Sequence, residues 1–206
     1  MQDLGPATDD QVILAWLQAE IESARFQKLI VGDPPNPHVL AMIRQLAHHP
    51  DLTNANENQQ RRDVIEQMRG FARGVLLFTG LANNIAWRRF HVTTAEVADM
   101  LYANHPTWRA LAPLTLTVGE GASHVGRVAA PGNPNMHILS MARDICHANP
   151  VPACPEIVCL NRPDGRISVM EGHSRATAFV LEAHRLPNGV DVYVGSSPSV
   201  ATWRYL

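Results

Sequence analysis

Val169-Met170-Glu171-Gly172-His173-Ser174-Arg175-Ala176-Thr177-Ala178 decides how the second half of this chain is read. The run Arg166–Met170 stops at Glu171-Gly172, and a helical pattern begins at once and continues through Phe179, Val180 and Leu181. The spacing predicts a strand that turns through a glycine directly into a helix. Such a junction leaves several backbone N–H groups without intrahelical partners, all aimed at one point. The helix dipole adds partial positive charge there, which makes an anion site. Arg175 contributes a forked, permanent cation suited to phosphate. Glu171 and His173 bring groups able to hold a metal or move a proton.

Working outward, Glu156–Leu160 reads as a short strand and Arg166–Met170 as its hairpin partner. The intervening Arg162-Pro163-Asp164-Gly165 has turn chemistry: proline presets one dihedral and glycine accepts a positive φ. The helix after the junction is expected from Ser174 to about Arg185, closed by Leu186-Pro187-Asn188-Gly189. Val190–Val194 is a last strand. Upstream, His137–His147 places Ile138, Met141, Ala142 and Ile145 on one helical face. Leu114–Val118 alternates like a strand, and Gly119–Pro134, rich in glycine and proline, reads as a long loop.

The first half has a different rhythm. Thr8-Asp9-Asp10-Gln11 fits a capping box, with Val12, Ile13, Trp16, Leu17 and Ile21 following at helical spacing. Asn36-Pro37 opens a second helix striped by Val39, Leu40, Ile43 and Leu46. Asp51–Gln60 is polar and loop-like, and a third helix is expected over Arg61–Leu77. Thr93-Thr94-Ala95-Glu96 caps another. The fold class is therefore α+β: a mostly helical region over residues 1–112, then a region with a small mixed sheet over 113–206.

With 206 residues and a net charge of −2, the chain can bury a substantial core and lacks the basic excess of a nucleic-acid binder. No apolar run approaches the ~20 residues of a membrane span. The polar start, Met1–Asp10, shows no secretory signal. Cys146, Cys154 and Cys159 lack CxxC spacing and read as reduced thiols of a cytoplasmic protein. Self-association into a homo-oligomer is left open by composition.

The order helix, strand, turn, strand, Gly-His-x-Arg, helix, strand over Asn133–Ser197 resembles the ParB/sulfiredoxin superfamily. Glu171-Gly172-His173-Ser174-Arg175 is most similar to the Asp-Gly-His-His-Arg box of its free serine kinases; ParB proteins carry Gly-x-Arg-Arg there and sulfiredoxins Gly-Cys-His-Arg. The resemblance implies that Gly172, His173, Ser174 and Arg175 contact the phosphates of ATP or another nucleotide. The sulfiredoxin cysteine is replaced here by His173. The chain stops at Leu206 without the helix-turn-helix module of ParB. The kinases' catalytic Glu has no counterpart in Pro131–His137, and Glu120 is the nearest acidic residue.

Other clusters carry less. His48 and His49 are adjacent, so on a helix they point about 100° apart and read as a solvated end. His124 and His137 lie where they could reach a ligand. Arg61, Arg62, Arg69 and Arg73 share one helix; Arg62, Arg69 and Arg73 fall near one side of it and read as an ordinary solvated face, because Asp63 and Glu66 are interleaved. The four tryptophans read as core or interface anchors. The leading expectation is an ATP-dependent phosphotransferase acting on a small hydroxyl-bearing substrate. Glu171 and His173 would be its catalytic residues, with Glu171 holding Mg²⁺. The alternatives are a nucleotide-sensing or partner-binding module without catalysis, and a DNA-associated ParB-like protein or nuclease.

Overall fold

Ile157, Val158, Cys159 and Leu160 are all fully buried, yet successive side chains enter different cores. Val158 and Leu160 pack with Trp16, Ile43 and Ile65 on one face of a sheet. Ile157 and Cys159 pack with Val97, Ile138 and Phe179 on the other. A strand buried on both sides reads as a continuous apolar run rather than an alternating one. The computed structural model describes residues 1–23, 26–71, 73–82, 84–127, 135–147 and 156–206.

The described strands are β1 (Gln2–Ala7), β2 (Ala86–Val92), β3 (Leu101–Tyr102), β4 (Ile157–Asn161), β5 (Ile167–Glu171) and β6 (Val190–Ser196). They form one mixed sheet ordered β1-β2-β6-β4-β5-β3, with β4–β6 and β3–β5 parallel and the other pairs antiparallel. Helices α1 (Asp9–Glu20), α2 (Pro37–His48) and α3 (Ala55–Arg69) cover one face. Helices α4 (Thr94–Asp99), α5 (Pro106–Leu111), α6 (Val118–Arg127), α7 (Met136–His147) and α8 (His173–Leu181) cover the other. The chain is thus α+β, built as helices, sheet, helices.

Several local expectations hold. Thr8 and Thr93 both form capping boxes, and Asn36 caps α2 with Pro37 in its first turn. The hairpin closes with the Arg162 N–H donating to the Arg166 carbonyl at 2.8 Å and Gly165 at φ +80°. His48 and His49 are exposed at the end of α2. Cys159 is buried and Cys146 half-buried; Cys154 lies outside the described residues.

Others are corrected. The region 1–112 supplies β1, β2 and β3, so the sheet and both cores cross the expected boundary at residue 112. β1 escaped notice because it is a largely exposed edge, and Arg88-Arg89 disguised β2. These arginines carry acid partners: Arg88 with Asp3 at 2.9 Å, and Arg89 with Glu156 and Asp191 at 2.8 and 2.9 Å.

The third helix spans Ala55–Arg69 rather than Arg61–Leu77. Asn54 accepts from the Asn56 and Glu57 N–H groups at its start, and Gly70, at φ +74°, ends it. A Cβ at Gly70 would stand 2.3 Å from the Val75 carbonyl oxygen, so only glycine fits this stop.

Leu114–Val118 is not a strand; it contributes one isolated bridge, Leu101 to Thr117. Val118–Arg127 is helix rather than loop. The Glu120 carboxylate accepts from the Leu114 and Thr115 N–H groups, and Thr117 Oγ1 accepts from the Glu120 N–H, fixing the helix start. Gly119 and Gly121 serve close packing: a Cβ at Gly121 would stand 2.3 Å from the Tyr102 hydroxyl oxygen and 2.6 Å from its ring. The remainder of the expected loop, 128–134, lies outside the described residues, including Pro131–Pro134.

Candidate functional site

β5 ends at Glu171, Gly172 follows at φ +91°, and α8 begins at His173. The left-handed glycine lets the strand turn into the helix within one residue. The Arg175 side chain folds back over it: a Cβ at position 172 would lie 2.9 Å from Arg175 Nη2. Arg175 is itself buried, at 7% exposure. No side chain from the described residues caps α8, so the dipole and first N–H groups of this helix face the space in front of Gly172.

That space is a cavity of about 630 Å³ between the helical layers. Its polar wall includes Glu20, Arg69, Glu171, Ser174, Arg175 and His137, and its apolar wall includes Met68, Leu77, Met141, Trp108 and Tyr205. The junction residues Glu171, Gly172, His173, Ser174 and Arg175 therefore all line one pocket. His137, at the start of α7, joins them through a 2.9 Å hydrogen bond between its Nε2 and Ser174 Oγ. His124 does not; its Nδ1 bonds the Leu111 carbonyl.

His173 is turned inward. Its ring stacks on Trp108 with centroids 4.6 Å apart and planes within 8°. Nε2 accepts from the Ala103 N–H at 3.3 Å, and the ring also hydrogen-bonds the Val169 backbone. These two bonds fix the tautomer with the proton on Nδ1. Burial, reinforced by the nearby Arg69 and His105 charges and opposed by Glu171, pushes its pKa down to about 4. The imidazole is therefore neutral at pH 7. Behind it, the Thr177 hydroxyl donates to the His173 carbonyl at 2.8 Å and accepts from the Tyr102 hydroxyl at 2.6 Å. The expectation of a His173 side chain directed at a ligand is thus met by a ring committed to the fold; what this residue offers the pocket is its place in the first turn of α8.

Glu171 is only partly exposed and meets Arg69 at 3.5 Å. The same guanidinium pairs with Glu20, which is almost fully buried in the last turn of α1. Sequence reading missed both partners. It assigned Arg69 to a solvated face shared with Arg62 and Arg73, on the helix that also carries Arg61. Arg73 does remain exposed, near Glu66, and Arg62 pairs with Asp10 at 2.7 Å. Arg61 is instead fully buried, donating to the Leu46 and Asp51 carbonyls at 3.1 and 3.0 Å. A signal for Glu20 existed: it lies four residues after Trp16, within the apolar stripe of α1. A carboxylate on a buried face requires a partner.

Chemically, the pocket joins a helix N-terminus without a side-chain cap among the described residues and two guanidinium groups, which suit an anion, with two carboxylates, whose oxygens suit a hard cation such as Mg²⁺. The chain matches no protein-family model, no curated protein and no solved structure.

Proposed function

We propose that this protein is a nucleotide-dependent enzyme, an ATP-using phosphotransferase acting on a small hydroxyl-bearing molecule. One observation carries the reading: the N-terminus of α8, Arg175 and Arg69 converge on a cavity whose wall also bears Glu171. The N–H groups of the first turn of α8 bind phosphate oxygens, and Arg175 neutralises their charge. The apolar wall, with Trp108 and Met141, takes the uncharged part of the ligand. Glu171 would hold Mg²⁺, which would supply positive charge to offset that of the phosphates. Ser174 and His137, already hydrogen-bonded to one another, orient groups at the pocket's rim.

A second reading, a nucleotide sensor without turnover, is favoured by one feature. Both carboxylates on the wall, Glu20 and Glu171, are engaged by Arg69, so neither stands apart as a general base. The DNA-associated reading gains nothing from Arg88 and Arg89, whose charge is met by Asp3, Glu156 and Asp191.

The test begins with thermal stability in the presence of ATP, CTP and GTP, each with and without Mg²⁺. A ligand at 100 times its dissociation constant adds about 2.7 kcal/mol. Mass spectrometry of the nucleotide that binds, incubated with Mg²⁺ and a pool of hydroxyl-bearing metabolites, then separates enzyme from sensor. Absence of stabilisation by all three nucleotides overturns both readings.

A further inference from the structure

Cys146, Glu182 and His184 come together away from the cavity. Cys146 lies in the last turn of α7, Glu182 is the C-cap of α8, and His184 sits in the short 3-10 turn Ala183–Arg185. Their ligand atoms all lie within 4.8 Å of one another. One oxygen of Glu182, Oε2, is buried and makes no hydrogen bond among the described residues; His184 Nδ1 stands 3.7 Å from it. A buried carboxylate oxygen without a donor calls for a cation. Two helix C-termini, those of α7 and α8, add partial negative charge at the same place.

We infer that Cys146, Glu182 and His184 bind a divalent transition-metal ion of the Zn²⁺ class. The donor set selects it: a thiolate and an imidazole suit Zn²⁺, whereas Mg²⁺ takes oxygen ligands and keeps its waters. Three protein donors and one water complete a four-coordinate shell. Donor atoms of a tetrahedral zinc site stand roughly 3.3–3.8 Å apart, so the cluster must contract by about 1 Å. His184, 68% exposed, has the rotamer freedom to close it. Cys146 binds as the thiolate and releases its proton to the buffer.

The site is separate from the nucleotide pocket. None of its three residues lines the cavity, and Glu182 lies eight residues beyond Ser174, roughly 12 Å along the helix direction. It does tie together the far ends of the two helices whose near ends carry His137 and Ser174. The metal therefore pins α7 against α8 without entering the phosphate site.

The experiment uses the full chain, stripped with a chelator and titrated with Zn²⁺ against a chromophoric competitor, then with Co²⁺ as a spectroscopic probe. The expected result is one tightly bound ion per chain and a thiolate-to-cobalt charge-transfer band. Cys146→Ser and His184→Ala should each weaken Zn²⁺ binding by more than about tenfold, the least that disturbing a metal ligand's surroundings brings. His48→Ala, an exposed histidine elsewhere, should leave it unchanged. His184 is a surface residue, so circular dichroism should show that variant folded. Absence of stoichiometric binding, a cobalt complex without the band, or affinity retained by both Cys146→Ser and His184→Ala overturns the inference.

Discussion

Arg69 closes α3 and Glu171 closes β5, and their side chains meet 3.5 Å apart on the cavity wall. Because Arg69 also holds Glu20, one guanidinium balances two poorly hydrated carboxylates. Removing the cation of a buried ion pair costs roughly 3–5 kcal/mol, whereas removing the whole set costs far less. Arg69→Met should accordingly destabilise the protein by roughly 3 kcal/mol in urea denaturation. Adding Glu20→Gln to Arg69→Met should restore part of the loss. A single variant as stable as wild type would show that the network contributes nothing to the fold.

Gly172 is required by geometry at two levels. Its φ of +91° disfavours any side chain, and a Cβ would press on Arg175 Nη2. Gly172→Ala should cost about 1–2 kcal/mol and displace the guanidinium. Nucleotide-induced stabilisation should fall with it. An alanine variant with unchanged stability and unchanged ligand response would dissociate the turn from the site.

Arg175→Ala should weaken nucleotide binding by roughly 1.5–3 kcal/mol, the range of a hydrogen bond to a charged group. Because Arg175 is buried, circular dichroism and urea midpoints must first establish that the variant is folded. Calorimetry showing wild-type affinity in the folded variant would remove Arg175 from the phosphate site.

His173 makes stability depend on pH in a defined direction. Its folded pKa, about 4, lies below the ~6.5 of an unfolded histidine. Between these values the unfolded chain binds a proton that the folded chain refuses, so stability rises with pH there. The contribution is complete above about 6.5 and is lost as pH falls toward 4, amounting to roughly 3 kcal/mol. His91 acts oppositely: hydrogen bonds to Asp191 and the Asn188 carbonyl raise its pKa, so its contribution is present below about 6.5 and fades as pH rises through the folded value. Subtracting the urea-stability profile of His173→Gln from that of wild type isolates the first effect. The difference should approach a slope of one proton between pH 4 and 6.5; a flat difference would mean that the ring is protonated or solvated in the fold.

What the sequence disclosed depended on whether the signal was local. The Glu171–Ser174 junction was legible because an apolar run, a glycine and a helical stripe adjoin within a few residues. The Thr8, Asn36 and Thr93 caps were legible for the same reason. Val118–Arg127 was misread because glycines that look like loop residues are spaced to admit Ala98 and the Tyr102 ring. The stop at Gly70 was missed because hydrophobic residues continue past it to Phe78. Glu20, Arg69 and Trp108 entered the site through tertiary packing alone, from three separate helices. No spacing rule along the chain could have joined them to Glu171 and His173.

Glu171 separates enzyme from sensor. As a ligand to Mg²⁺ it would act mainly where charge develops, so in a phosphotransferase Glu171→Gln should abolish turnover while retaining much of the nucleotide affinity. The substitution is nearly isosteric and keeps a hydrogen-bond acceptor toward Arg69, which retains Glu20 as its charged partner. The fold should therefore tolerate it better than Arg69→Met. In a sensor, wild type should yield no phosphorylated product from any acceptor, and Glu171→Gln should change only affinity or its Mg²⁺ dependence. The measurement is mass-spectrometric detection of product from wild type and variant, alongside calorimetry of nucleotide binding to each. Binding without product across a broad acceptor pool would favour the sensor. Product formed equally well by Glu171→Gln would place the catalytic carboxylate elsewhere, with Glu20, on the same wall and the same guanidinium, the next residue to replace.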